Sequence, residues 1–327
     1  MKPASSKFHI VHKPDNWQQH DAPQYEQQLQ SSANIAEERK LEKSAERFQP
    51  SQDLLNAINA ALAARAPLLL TGEPGTGKTQ VAWFLKRFFK IELFEYQVRS
   101  NSQSADLRYD FDAVAYLRDA YLAKDKDEKD GAEQGNTEPQ QDPRSHPKYL
   151  KKGPLWNAYE HTSECLLLID EIDKAPRDFP NDLLQEIDQH RFAHPFHQGE
   201  DVERQGAPPI IIITSNGERR LPDAFLRRCI VHHIEIDKIL EDIMQAWKSQ
   251  FPKLKDTAIR KQALKRFQEI RSLRLSKKPG AAELLLWLTV LSAQDIQAED
   301  ISDEVAKKDL PALLCLIKDH TDYKLLE

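Results

Sequence analysis

The chain has 327 residues, with 46 Lys+Arg against 52 Asp+Glu and a formal net charge of −6. Hydrophobic residues make up 40%, and the longest apolar run, Ala281–Leu291, is interrupted by Glu283, short of the about twenty residues a membrane helix needs. Three scattered cysteines (Cys165, Cys229, Cys315) build no disulfide framework and MKPASSKFHI lacks the apolar core of a signal peptide, which excludes membrane proteins, secreted disulfide scaffolds and fibres and predicts a cytoplasmic setting.

Residues 1–47 are rich in Gln, Ser, Lys and Glu without regular apolar spacing, and read as a charged, partly disordered extension. A globular pattern occupies residues 48–236. Ser51 or Asp53 caps a first helix, in which Leu54, Leu55, Ile58, Ala61 and Leu62 recur at helical spacing. Five short apolar runs then suit buried strands: Leu68–Thr71, Leu93–Val98, Cys165–Ile169, Ile210–Thr214 and Ile230–Ile236. Helical segments such as Thr79–Lys90 and Asp178–His190 separate them, so the fold class is α/β, a parallel sheet covered on both faces. Residues 123–148 carry no hydrophobic residue beyond two alanines and read as a mobile insertion loop. Residues 237–327 lack strand signals and predict a small helical domain, with helices over Ile239–Phe251, Thr257–Leu275, Ala281–Ala293 and Ala312–Leu326.

The run Gly72-Glu73-Pro74-Gly75-Thr76-Gly77-Lys78-Thr79 satisfies G-x-x-x-x-G-K-[ST]. It follows the strand Leu68–Thr71 and opens a helix, the context in which glycines turn successive N–H groups onto an anion. Lys78 is expected to reach the β- and γ-phosphates and Thr79 to ligate Mg²⁺, with Gln80 completing the nucleotide-contact candidates.

The third strand ends in Asp170-Glu171, at the edge of a parallel sheet where ligands bind. Asp170 suits the Mg²⁺ shell and Glu171 the polarisation of an attacking water. Asp173, a turn later, reads as a helix cap. The fourth strand ends in Ser215-Asn216, whose amide suits the attacking water or the γ-phosphate, with a plain turn before Gly217 as the bland alternative. Arg227 and Arg228 precede the last strand and suit either an internal salt bridge or a finger reaching a neighbour's γ-phosphate.

In this order the phosphate loop, LLLIDEID, a strand ending in Asn, LPDAFLRR and a helical tail resemble an AAA+ ATPase of the MoxR type, over roughly residues 48–327. GEPGTGKT, KGPLWNA (152–158) and DEIDKAP (170–176) are the matching pieces. The resemblance implies a P-loop αβα domain with sheet order 5-1-4-3-2, a four-helix lid, and a ring, usually of six subunits, with ATP at each interface. It implies that Asn216 is the sensor-1 residue, that Arg228 is the finger with Arg227 as runner-up, and that residues 189–208 form a hairpin facing a pore or client. It also implies a partner protein of von Willebrand factor A type. Where this family commonly carries a sensor-2 arginine, the chain has Ser276-Lys277-Lys278-Pro279-Gly280, so Lys278 is the candidate there.

His190, His194 and His197 share a helical spacing, but Pro195 interrupts it and a solvated hairpin outranks zinc. Eight Lys/Arg against one Glu between Ala258 and Lys278 suit a nucleic-acid stripe, or better a solvated lid face with a subunit contact. Trp83, Phe84, Phe88 and Phe89 read as core packing, as do Cys165 and Cys229. The functions carried forward are an ATPase remodelling a partner protein, a nucleotide-gated interaction switch in a bacterial defence or conflict system, and, third, a DNA-processing motor.

Overall fold

The computed structural model describes residues 48–130, 144, 146–197, 199–246, 254, 257–294 and 296–326. The extension assigned to residues 1–47 lies outside the described residues, as do 131–143 and 145 of the expected insertion.

In chain order the elements are α1 (Gln52–Ala64), β1 (Leu68–Gly72), α2 (Lys78–Phe89), β2 (Glu92–Gln97), α3 (Ser104–Arg108), β3 (Tyr109–Phe111) and α4 (Ala113–Asp130). There follow β4 (Leu150–Lys152), α5 (Pro154–Glu160), β5 (Cys165–Asp170), α6 (Phe179–Gln189), β6 (Arg191–Ala193), β7 (Asp201–Glu203) and β8 (Ile210–Ser215). The described chain ends with α7 (Asp223–Leu226), β9 (Ile230–Ile234), α8 (Ile236–Ala246), α9 (Thr257–Ser272), α10 (Ala281–Ala293) and short 3₁₀ turns.

The chain divides into two compact units, one of residues 53–71 and 85–233, the other of residues 1–52, 72–84 and 234–327. The first is built on the sheet, whose order is β2-β5-β8-β1-β9, the 5-1-4-3-2 order expected. Parallel registers pair Leu70 with Thr214, Ile169 with Ile213 and Gln97 with Asp170. Strands β5 and β8 are central and read as unbroken apolar runs because both faces are covered, and Leu166–Ile169 are almost fully buried. One core joins Leu69, Leu167, Ile169 and Ile213 to Leu155, Trp156 and Tyr159 of α5 and Leu183 and Ile187 of α6. The KGPLWNA segment is therefore packing: Pro154 starts α5 and Tyr159 donates its hydroxyl proton to the Glu186 carbonyl at 2.7 Å. Strands β6 and β7 form the expected antiparallel hairpin.

The second unit has its own core, in which Leu240, Phe267, Trp287, Leu288 and Leu316 are completely buried. Three of its four expected helices form. The fourth, Ala312–Leu326, is replaced by 3₁₀ turns at Leu313–Cys315 and His320–Leu326, and Ala312 sits at φ 53°, which no regular helix tolerates. Two further expectations are corrected. Residues 123–130 continue α4 rather than opening a loop, and Phe88 is 67% exposed at the end of α2, so it is no core residue.

Candidate functional site

The phosphate loop belongs to the second unit. Gly75 and Gly77 both take positive φ, 80° and 83°, a conformation that a side chain would strain. Lys78 opens α2 and is buried, its ammonium donating to the carbonyls of Gly72 at 2.9 Å and Glu73 at 2.8 Å. Thr76 closes the turn through its hydroxyl, which donates to the Glu73 carbonyl at 2.9 Å. The loop is thus curled with its lysine folded against its own backbone. Thr79 and Gln80 follow in the first turn of α2.

Glu73 is held from the same unit. Its two carboxylate oxygens accept from Arg271 of α9 at 3.0 and 3.2 Å. Arg271 also donates to Asp237 of α8 at 3.1 Å and to the Pro279 carbonyl at 2.5 Å. Burial opposes its charge, but the two carboxylates outweigh it and its pKa stands above the ordinary guanidinium value. Lys278, the sensor-2 candidate, is exposed. The neighbouring Gly280 instead packs on the loop, where an added Cβ would lie 2.7 Å from the Pro74 carbonyl.

The acidic residues belong to the first unit, at the carboxyl edge of its sheet. Thr214, completely buried in β8, bridges them: its hydroxyl accepts from the Glu171 backbone N–H at 2.8 Å and donates to Asp170 Oδ1 at 2.6 Å. Glu171 lies just past the end of β5 with φ 60° and ψ 50°, a left-handed conformation uncommon for a side-chain-bearing residue and typical of functional turns. Its Oε1 accepts from the Asn216 side-chain amide at 3.0 Å. Its Oε2 accepts from Gln97 at 2.6 Å and from Lys174 at 2.5 Å. Ion pairing with this carboxylate raises the Lys174 pKa.

Asn216 thus directs its side-chain amide to Glu171, a partner the sequence reading had not named, rather than to a local turn. Asp173 is not a cap. It is 2% exposed, and its carboxylate accepts the backbone N–H groups of Asn216 at 3.1 Å and Glu218 at 2.9 Å. Gln97 was missed in the sequence, although a polar residue at the end of a strand, at the ligand-binding edge, was the available signal.

Arg228 donates to Asp188 at 2.8 Å and to the Ala224 carbonyl at 3.2 Å. Arg227 is exposed and has no ion pair among the described residues. Both stand at the opposite edge of the sheet, since Ile230, two residues on, donates to the Pro67 carbonyl at the start of β1. A five-residue strand separates that edge from the acidic edge by roughly 16 Å.

The bland readings of the remaining signals also divide. His194 and His197 stack with ring centroids 4.1 Å apart on the β6–β7 hairpin, and no group of three metal-binding side chains occurs among the described residues. The basic stretch of α9 is not an open stripe. Arg266 and Arg271 are buried, Arg266 is bound to Glu269 and the Val305 carbonyl, and Lys265 is paired with Asp303.

Residues 67–229 match the family model of the AAA domain, dynein-related subfamily. No curated protein matches the chain. Among solved structures, NtrX from Brucella abortus in complex with ADP is similar at 16% identity with a TM-score of 0.41, over 91% of this chain and 62% of that one. The chain thus spans less than two thirds of that relative, and so distant a likeness carries no inference. The segment holding four of the five parallel strands, residues 67–229, is an AAA domain of the dynein-related subfamily.

Proposed function

We propose that the chain hydrolyses ATP as an AAA+ machine of the MoxR type, working in a ring and remodelling or activating a partner protein. The observation that carries this reading is the Glu171 carboxylate, aimed by Asn216, Gln97 and Lys174 at the end of an apolar strand. An aimed carboxylate beside a side-chain amide is the equipment for orienting and deprotonating a water. The phosphate loop supplies the binding half, with Lys78 exchanging its loop carbonyls for phosphate oxygens.

Mg²⁺ is the metal this chemistry uses, and the Thr79 hydroxyl and the Asp170 carboxylate are each, by their own chemistry, hard oxygen donors of the kind it takes. When bound, the ion would neutralise charge on the β- and γ-phosphates. The position of Arg227 and Arg228 at the far edge of the sheet from Asp170 and Glu171 supports a finger acting on a neighbouring subunit. The Arg228–Asp188 pair is half exposed on both sides, and such surface pairs contribute only about 0–1 kcal/mol, so exchange for a phosphate is cheap. ATP over GTP, six-fold stoichiometry and a von Willebrand factor A-type partner rest on the resemblance. Burial of Arg266 and Arg271 leaves fewer cations on α9 for the DNA-processing motor to use.

The test is turnover of ATP with and without Mg²⁺, beside nucleotide binding. Wild-type protein is expected to hydrolyse ATP only with Mg²⁺, and Glu171→Gln to bind ATP while turning it over at least about 100-fold more slowly. Unchanged turnover in Glu171→Gln would overturn the assigned base. A wild type that binds ATP without hydrolysing it would favour the nucleotide-gated switch.

A further inference from the structure

The phosphate loop carries a charge of the wrong sign. Glu73 is the second residue of the motif, on a loop whose task is to hold a polyanion, and an uncompensated carboxylate there repels the ligand. The fold answers with one guanidinium. Arg271 grips both oxygens of Glu73, at 3.0 and 3.2 Å, in the fork geometry that only arginine supplies. Its Nε donates to Asp237 and its Nη1 to the Pro279 carbonyl, so the side chain is fixed from three directions. Only 5% of it is exposed, against 46% of Glu73. The arginine is the rigid partner and the glutamate the held one. Pro279 leads into Gly280, which packs on Pro74, and Gly75 lies against the first residues of α10. Loop, α8, α9 and the start of α10 therefore meet around this one cation.

We propose that Arg271 is a positioning residue for nucleotide binding: it holds and neutralises the Glu73 carboxylate so that the phosphate loop can accept a triphosphate. This rests on the nucleotide-binding reading above and adds to it a contact made through Glu73 rather than to the nucleotide. Removing the arginine leaves a negative charge on the loop, and affinity for nucleotide falls. Removing the negative charge as well returns most of that affinity.

The experiment measures the dissociation constant of a fluorescent ATP analogue by anisotropy, so it does not depend on turnover. Four proteins are compared: wild type, Arg271→Met, Glu73→Gln and the double variant. Arg271→Met is expected to bind about tenfold more weakly, the scale of one nearby unpaired charge acting on a bound anion. Adding Glu73→Gln is expected to recover most of that loss, and to help several-fold more without Arg271 than with it. Affinity in Arg271→Met equal to wild type, or a loss that Glu73→Gln fails to recover, overturns the proposal, because an arginine that merely braces the helices is not rescued by neutralising Glu73. Circular dichroism checks folding. Should Arg271→Met fail to fold, Arg271→Gln, also neutral but polar, gives the same comparison. A wild type that binds no nucleotide sinks the functional reading itself, whereas a binding wild type without rescue sinks only the role of Arg271.

Discussion

Asp173 accepts the Asn216 backbone N–H through both carboxylate oxygens at 3.1 Å, and that grip fixes the amide whose Nδ2 reaches Glu171. Residue 173 thus acts on the acidic edge through residue 216. Asp173→Ala is expected to lower the rate of ATP hydrolysis about tenfold or more while the ATP dissociation constant changes little. Asp173→Asn, which retains one acceptor oxygen, falls between the two. Steady-state kinetics beside binding measurements decide it, and equal weakening of binding and turnover would speak for a general loss of structure instead.

Thr214 supplies the one hydroxyl that joins Asp170 to the backbone of Glu171. Thr214→Val keeps the shape and removes the bridge at a completely buried position. The expected cost is about 1–3 kcal/mol, because an N–H and a carboxylate oxygen lose their partner in a low-dielectric setting. Denaturant titration measures it. A loss below about 0.5 kcal/mol would show that water or relaxation replaces the hydroxyl.

Arg228 stands at the amino edge of the sheet, beside the start of β1. Arg228→Ala is expected to abolish turnover at least about 1,000-fold without removing ATP binding. Mixing it with Glu171→Gln should restore part of the activity, since each variant then supplies what the other lacks. Turnover per subunit should also rise with protein concentration. Activity independent of both concentration and mixing would exclude a shared site, and loss in Arg227→Ala alone would move the finger by one residue.

Glu186 supplies a pH dependence. Its carboxyl is raised from 4.5 to about 7 by burial, with Arg108 opposing and Asp182 assisting. The nearest Arg108 nitrogen is 3.4 Å away, too distant for a strong bond, and Glu186 Oε2 has no hydrogen-bond partner among the described residues. Between pH 4.5 and 7 the folded chain therefore holds a proton that the unfolded chain releases, so this residue makes stability fall as pH rises through that window and level off above it. Melting temperatures across pH 5 to 8 should show the decline in wild type, and Glu186→Gln should flatten it. An unaltered profile in Glu186→Gln would assign the dependence elsewhere.

Much of the first unit was legible along the chain. The five strand runs stand within two residues of the observed strands, and β5 and β8 announce themselves most plainly, because parallel strands covered on both faces must be apolar throughout. Phosphate loop, acidic pair and Asn216 share this legibility, since each is a short motif tied to the end of a strand. Gln97 escaped notice because its significance depends on β2 lying beside β5 in a register that no local pattern records. The 3₁₀ ending after Ala312 was hidden for a similar reason: Leu313, Leu316 and Ile317 have helical spacing, but the core they fill demands a left-handed break first.

Chain order and residue type alone determined the strands, their parallel arrangement and the glycine-rich loop after the first strand, because those properties depend on periodicity and on backbone freedom at a few glycines. Pairing between distant charges was decided only in three dimensions. Asp173 became an anchor and Arg271 a counter-charge, and two cations of α9, Arg266 and Arg271, turned inward. A charged side chain is the same letter whether it faces water or a buried partner, and only folding settles which of the two it meets.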